Sequence, residues 1–224
     1  MNATRPYPIA LTRLDRQRCV VVGGGAVAER KVAALLAHGA QVTLISPRLS
    51  TQLAAWHAAG RFAYQARAYR AGDLEGATLV FAATERREVN AAVAAEAHAR
   101  GILVNIADDP DGSDFHTLPV VARGALQIAV STGGASPALA ALLRRALEGL
   151  IGPEYGQLAE RLGALRAEVQ ARLPAAARPR FWRRLASEEA LALLRAGDES
   201  GFEALLRRAW HEARAAGSEH EART

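Results

Sequence analysis

The sequence is poor in cysteine, in lysine and in long apolar runs, and each shortage removes a class of protein. Cys19 is the only cysteine, so no disulfide can form within the chain, and a reducing compartment fits that fact. No stretch of about 18 apolar residues occurs, which leaves no membrane span to be read from hydropathy. The segment from Met1 to Arg18 has no apolar core of signal-peptide length and is interrupted by charge. Together these absences predict a soluble cytoplasmic protein. Lys31 is the single lysine, so the other 27 of the 28 basic residues are arginine.

The formal net charge of +5 raises the question of nucleic acid. Much of the arginine, however, stands beside glutamate on predicted helices, as in Glu160-Arg161 and Arg166-Ala167-Glu168. No nucleic-acid-binding motif accompanies it, so these are read as solvated faces rather than contacts to phosphate. The expectation is no nucleic-acid partner and no membrane, with a positive surface that attracts polyanionic small molecules.

What is present is an ordinary globular balance, 50% hydrophobic and 23% charged over 224 residues. The first half alternates apolar runs with helical stretches, the pattern of βαβ units. Cys19-Val20-Val21-Val22 reads as a central strand buried on both faces, because it is β-branched with no polar alternation. A helix is predicted from Val27 to His38, a strand over 41–45, and a helix over 49–59. Strands follow over 62–69 and 78–83, then a helix over 89–100 and a strand over 103–107. That order predicts an α/β fold, a Rossmann-type doubly wound parallel sheet. Two further strands are expected over 115–121 and 126–131. From Ser136 the pattern is helical, broken at Gly152-Pro153, between Pro174 and Pro179, and near Gly197. The expected organisation is a dinucleotide-binding domain over 1–112, a dimerisation and active-site segment over 113–150, helices over 151–216, and a disordered polar tail over 217–224.

Gly23-Gly24-Gly25-Ala26-Val27-Ala28 matches G-x-G-x-x-G/A, and it lies between a β-branched strand and an amphipathic helix. Gly23 permits the tight turn, Gly25 lets backbone approach a pyrophosphate, and Ala28 lets helix and strand pack closely. The acidic residue that would hold a ribose 2′-hydroxyl some 20 residues on is missing from Val42 to Arg48, so NAD and NADP both remain open on chemistry alone. Thr84 ends a strand and Asn90 opens the next helix, where each could touch a cofactor; for Asn90 helix initiation is the plainer reading. Asp108 closes the strand that carries Asn105. With modest desolvation its carboxylate could take up a proton, yet Asp-Asp-Pro-Asp-Gly is also turn chemistry. In Ser131-Thr132-Gly133-Gly134-Ala135-Ser136-Pro137, Ser136 is a predicted N-cap with Pro137 at the first helical position. The exposed amides and hydroxyls there could hold a phosphate or carboxylate. His116 has no second histidine or cysteine at ligand spacing, so no metal site is assigned.

In order and spacing, these segments resemble the precorrin-2 dehydrogenase/sirohydrochlorin ferrochelatase family, the module at the N-terminus of multifunctional sirohaem synthase. The residues that carry the resemblance are Val21 to Lys31, Ala82 to Thr84 with Asn90, Asn105 to Pro110, Phe115 with Pro119, and Ser131 to Pro137. It covers residues 5–150 closely and the helical tail loosely. It implies NAD as hydride acceptor, held by Gly23, Gly24, Gly25, Ala26, Val27, Ser46, Pro47, Thr84 and Asn90. It implies a tetrapyrrole substrate, precorrin-2, oxidised to sirohydrochlorin and met by Asn105, His116, Ser131, Thr132, Gly133, Gly134 and Ser136. Asp108 falls on the family's proton-accepting aspartate. Some members also insert ferrous iron as a second substrate, and members are homodimers. Thr132 stands where some bifunctional relatives carry serine, which puts a serine-specific modification there in doubt. A competing reading is a regulatory module that senses dinucleotide without hydride transfer. Such a sensor needs neither a base at 108 nor a second anion pocket at 131–137.

Overall fold

The computed structural model describes residues 6–221, with side chains described up to residue 215. The chain divides into two compact units, the first ending at Thr117 and the second beginning at Leu118. The first contains β1 (Arg18–Val22), α1 (Ala26–Ala37), β2 (Gln41–Ile45), α2 (Thr51–Ala58), β3 (Ala63–Gln65), β4 (Leu79–Ala82), α3 (Arg87–Ala99) and β5 (Leu103–Ile106). Its strands form one parallel sheet in the order β3-β2-β1-β4-β5. Sequential strands run outward from β1 on both sides, so β1 marks the point where the winding reverses. The Rossmann-type α/β expectation is met.

The alternation along β1 shows why it must be central. Cys19 and Val21 lie in one apolar cluster with Ala28, Val32 and Leu35 of α1 and Leu53 of α2. Val20 and Val22 lie in the other, with Val93, Ala94 and Ala97 of α3. Each fully buried valine contributes about 1.5–3 kcal/mol relative to an exposed one, so both helical layers are needed to satisfy this strand. Burial also pushes the Cys19 thiol up to about 11, so the lone cysteine is a packing residue and not a nucleophile.

Two predicted strands are cut short. The one expected over 62–69 pairs only over Ala63–Gln65. Beyond it, Arg67 N donates to Gln65 O at 2.9 Å and the Arg67 guanidinium pairs with Asp73, bending the chain into a loop. The segment expected as strand from Phe115 becomes one only at Val120. Residues 113–117 are bound to the first unit instead. The Asp114 carboxylate accepts from Val104 N at 2.9 Å, Asn105 Nδ2 donates to Phe115 O at 2.9 Å, and Lys31 Nζ donates to Thr117 Oγ1 at 2.9 Å. Phe115 also packs edge-on against Phe81 with ring centroids 5.4 Å apart. These contacts carry the first unit to Thr117 rather than to the expected residue 112.

The second unit opens with an antiparallel hairpin, β6 (Val120–Arg123) and β7 (Leu126–Ala129). Six helices follow: α4 (Pro137–Leu150), α5 (Pro153–Ala164), α6 (Arg166–Arg172), α7 (Arg178–Leu185), α8 (Glu188–Ala196) and α9 (Glu199–Glu221). The expected breaks fall at helix boundaries: Gly152 precedes α5 with Pro153 as its first residue, Leu173 to Ala177 separate α6 from α7, whose second residue is Pro179, and Gly197 ends α8. Arg123 ties the hairpin to the end of α4, donating to the carbonyls of Ile151 at 2.9 Å and Glu148 at 3.0 Å. Phe181, Leu185, Phe202 and Leu205 are fully or almost fully buried and centre the helical core. The tail expected from Gly217 is helical as far as Glu221, and residues 222–224 lie outside the described residues. Among the described residues no helix is long and apolar enough to cross a membrane.

Candidate active site

At the carboxyl ends of β1, β2, β4 and β5 opens a cavity of about 820 Å³, walled by Gly23 to Val27, Ser46 to Ser50, Ala68, Tyr69, Thr84 to Arg86, Val89, Ala107 and Asp108. Its floor is the glycine turn, and each glycine there answers a different constraint. Gly23 has φ of +126°, and a Cβ on it would lie 2.2 Å from the Ala83 carbonyl oxygen. A Cβ on Gly24 would lie 1.9 Å from the Arg48 carbonyl oxygen and 2.7 Å from Ser46 Oγ. The fold itself therefore requires both.

Gly25 differs. Its φ of −92° suits any residue, and a Cβ there would meet nothing within 4 Å. It caps α1 without a side chain, and the first intrahelical bond runs from Glu29 N to Gly25 O at 3.0 Å. The amides of Ala26, Val27 and Ala28 consequently have no intrahelical acceptor. A bare helix N-terminus beside an open space that a single methyl would enter is the cradle a pyrophosphate needs. The residues present thus fit a dinucleotide.

Asn90 neither caps α3 nor lines the cavity. It is buried at 5% exposure, and Arg86 holds the N-cap position. Thr84 N donates to Asn90 Oδ1 at 3.2 Å, Asn90 Nδ2 donates to Thr84 O at 3.0 Å, and Thr84 Oγ1 lies 2.7 Å from Asn90 Oδ1. Its amide locks the exit of β4 so that Thr84 faces the cavity. Ser46 is similarly engaged, with its hydroxyl donating to Arg48 O at 2.7 Å. Ser46 and Pro47 line the wall, but the Ser46 side chain serves the turn.

The Asp108-Asp109 pair separates into two roles. Asp109 Oδ1 accepts from Gly112 N at 3.0 Å, and Ser113 Oγ donates to Asp109 O at 2.7 Å, so the turn belongs to Asp109. Asp108 sits on the cavity wall, exposed, in the left-handed region with φ of +60°. Among the described residues no hydrogen bond or ion pair engages its carboxylate. Aspartate tolerates that conformation better than most residues, and departures of this kind gather at functional sites.

Asn105 is buried and bound to Phe115 O, whereas His116 is exposed and off the cavity wall. No group of three or more His, Cys, Asp or Glu among the described residues is arranged to hold a metal ion.

In the second unit, Ser136 caps α4 as expected, accepting from Leu139 N at 3.1 Å with Pro137 at the helix start. Thr132 Oγ1 accepts from Ser136 N at 3.1 Å, and Ser131 Oγ accepts from Gly133 N at 3.2 Å. Gly133 and Gly134 have φ of +64° and +84°, so two successive left-handed residues account for the paired glycines.

An NAD(P)-binding family model matches residues 10–118, a model of the central region of sirohaem biosynthesis proteins matches 123–150, and one of the sirohaem synthase dimerisation region matches 154–209. The chain belongs to the sirohaem synthase family. It is 43% identical over 190 residues to siroheme synthase 1 of Aeromonas salmonicida, covering 84% of this chain and 41% of that one. Against siroheme synthase of Chromobacterium violaceum the figures are 41% over 199 residues, 88% and 42%. The chain thus spans about two fifths of the length of these relatives. A solved structure titled SirC, precorrin-2 dehydrogenase, shares the fold at a TM-score of 0.75 and 23% identity, covering 92% of this chain and all of that one.

On this sirohaem synthase framework, the first model covers the cavity, the second runs from the end of β6 through β7 and the Ser131 to Pro137 loop to α4, and the third runs from α5 into the first half of α9. Sequence reasoning missed Tyr69, whose ring lines the cavity while its hydroxyl donates to Glu96 of α3. Burial and that carboxylate push the Tyr69 phenol up, which keeps it a donor. A short-range pattern cannot reveal it, because its partner lies 27 positions away.

Proposed function

We propose that this chain oxidises precorrin-2 to sirohydrochlorin with NAD as the hydride acceptor. The observation that carries the reading is the open cradle at Gly25, on the same cavity wall as an unengaged Asp108 carboxylate. Family membership supplies the substrate class. The bound dinucleotide supplies a two-electron acceptor. The first-turn amides of α1 hold its pyrophosphate, and the Asn90 lock keeps Thr84 turned toward it. Loss of a hydride and a proton from precorrin-2 gives sirohydrochlorin, NADH and one proton, and Asp108 Oδ accepts that proton. His116 is proposed to meet the substrate, whereas Asn105, buried with its Nδ2 donating to Phe115 O, holds residues 113–117 in place instead. Within the second unit, the Ser131–Ser136 loop, with Thr132, Gly133 and Gly134, offers amides suited to carboxylates. Insertion of ferrous iron, as a second substrate, displaces pyrrole protons that need a base, and the same carboxylate is proposed for it.

The test is an anaerobic assay with enzymatically generated precorrin-2 and no added metal. NADH and the sirohydrochlorin spectrum are expected only when NAD is present, and ferrous iron added afterwards tests chelation. Binding of NAD without product would overturn the dehydrogenase and favour a dinucleotide sensor.

A homodimer is proposed as well. Leu139, Leu142, Leu143 and Leu150 of α4 are 46%, 54%, 42% and 71% exposed, an apolar face that water disfavours. A second copy of this chain fits it; the dimerisation-region match over 154–209 supports a dimer without including α4. Burying a lone carboxylate in such an interface weakens association by about 100-fold or more. Leu142→Glu is therefore expected to sediment as monomer where the parent is dimeric, with NAD affinity retained. A monomeric parent would refute the proposal.

A further inference from the structure

The cavity carries opposite charges at its two ends. Its carboxylates, Glu85 and Asp108, follow β4 and β5, whereas Arg48 stands on the loop that follows β2. In the sheet order these positions lie on opposite sides of β1. In dinucleotide folds the adenine ribose sits over the end of the second strand, where an acidic side chain receives its 2′-hydroxyl and an arginine accommodates a 2′-phosphate. Ser46 occupies the acidic position here, and its hydroxyl donates to the Arg48 carbonyl. The acid that packs near this loop, Glu29 of α1, is off the cavity wall and accepts from Ser50 Oγ at 2.6 Å. Arg86, the other arginine of the wall, is ion-paired with Glu88. Arg48 is exposed, and no hydrogen bond or ion pair among the described residues engages its guanidinium.

We propose that Arg48 makes this site accept the 2′-phosphate of NADP at least as readily as the 2′-hydroxyl of NAD, so that the chain takes either dinucleotide. The inference rests on the dinucleotide reading of the cavity. Two features act together: the carboxylate that would repel a phosphate is missing, and a guanidinium able to form paired hydrogen bonds to phosphate oxygens is in its neighbourhood. Because the guanidinium is solvated, its attraction for the phosphate is screened by salt.

Calorimetric titration of the purified chain with NAD and NADP tests this without turnover. The NADP dissociation constant is expected to equal or undercut that of NAD. Arg48→Ala is expected to weaken NADP by about tenfold and NAD by less than about twofold, as suits a charge-assisted contact made to only one of them. Added salt should weaken NADP more steeply than NAD. NADP binding more than about tenfold weaker than NAD in the parent, or equal weakening of both by Arg48→Ala, overturns the proposal and leaves the NAD site standing. Binding of neither dinucleotide overturns the cavity reading itself, and the role of Arg48 falls with it.

Discussion

Replacing Asp108 with asparagine is expected to lower precorrin-2 turnover by about 10²–10⁴-fold, the usual contribution of a positioned base, with NAD affinity and Tm unchanged. The substitution isolates proton acceptance because asparagine matches the volume and tolerates the left-handed backbone at φ of +60° as well as aspartate does. No internal hydrogen bond is lost, since the turn is fastened through Asp109. Asp109→Asn is the control. It weakens the bond to Gly112 N and is expected to cost about 1 kcal/mol of stability, with turnover per folded molecule little changed. If Asp108→Asn instead lowered Tm and weakened NAD binding together, Asp108 would be a turn residue and the proposed base would lie elsewhere.

The parts of the fold legible in the sequence are those set by local chemistry. The Cys19 to Val22 run could only be a strand buried on both faces, and its side chains do divide between two cores. Ser136-Pro137 could be read as a cap because capping is settled within three residues. The glycine turn was legible for the same reason, although the distinction among its glycines was not. Which glycine faces protein and which faces open space depends on Ala83 and Arg48, far along the chain.

The rest depended on how the elements pack. Asn90 read as a helix starter because its true partner, the backbone of Thr84, is defined only once β4 and α3 pack. The segment from Phe115 looked like strand by composition, yet Asn105 and Phe81 hold its beginning to the first unit. Composition also favoured a strand through Tyr69, where the Arg67–Asp73 pair and the bond to Glu96 impose a loop. Within the candidate site, the left-handed backbone of Asp108 and the division of labour with Asp109 had no signal in the Asp-Asp-Pro-Asp-Gly string.

The three adjacent glycines should separate cleanly in a substitution series. Gly23→Ala places a methyl 2.2 Å from a carbonyl oxygen at a φ that L residues avoid. It is expected to cost about 3 kcal/mol of stability. Gly24→Ala, with its Cβ 1.9 Å from the Arg48 carbonyl, is expected to do the same by forcing the Ser46–Ser50 loop aside. Gly25→Ser should fold at least as well as the parent, because the backbone is already extended and serine is a preferred N-cap. Its side chain nevertheless enters the space above the free amides of α1, so dinucleotide affinity is expected to fall by about 100-fold, or ~2.7 kcal/mol. Thermal melts read the first two variants and calorimetric titration reads the third. Undiminished NAD affinity in a well-folded Gly25→Ser would show that the pyrophosphate does not approach this turn, and the dinucleotide reading would have to be abandoned.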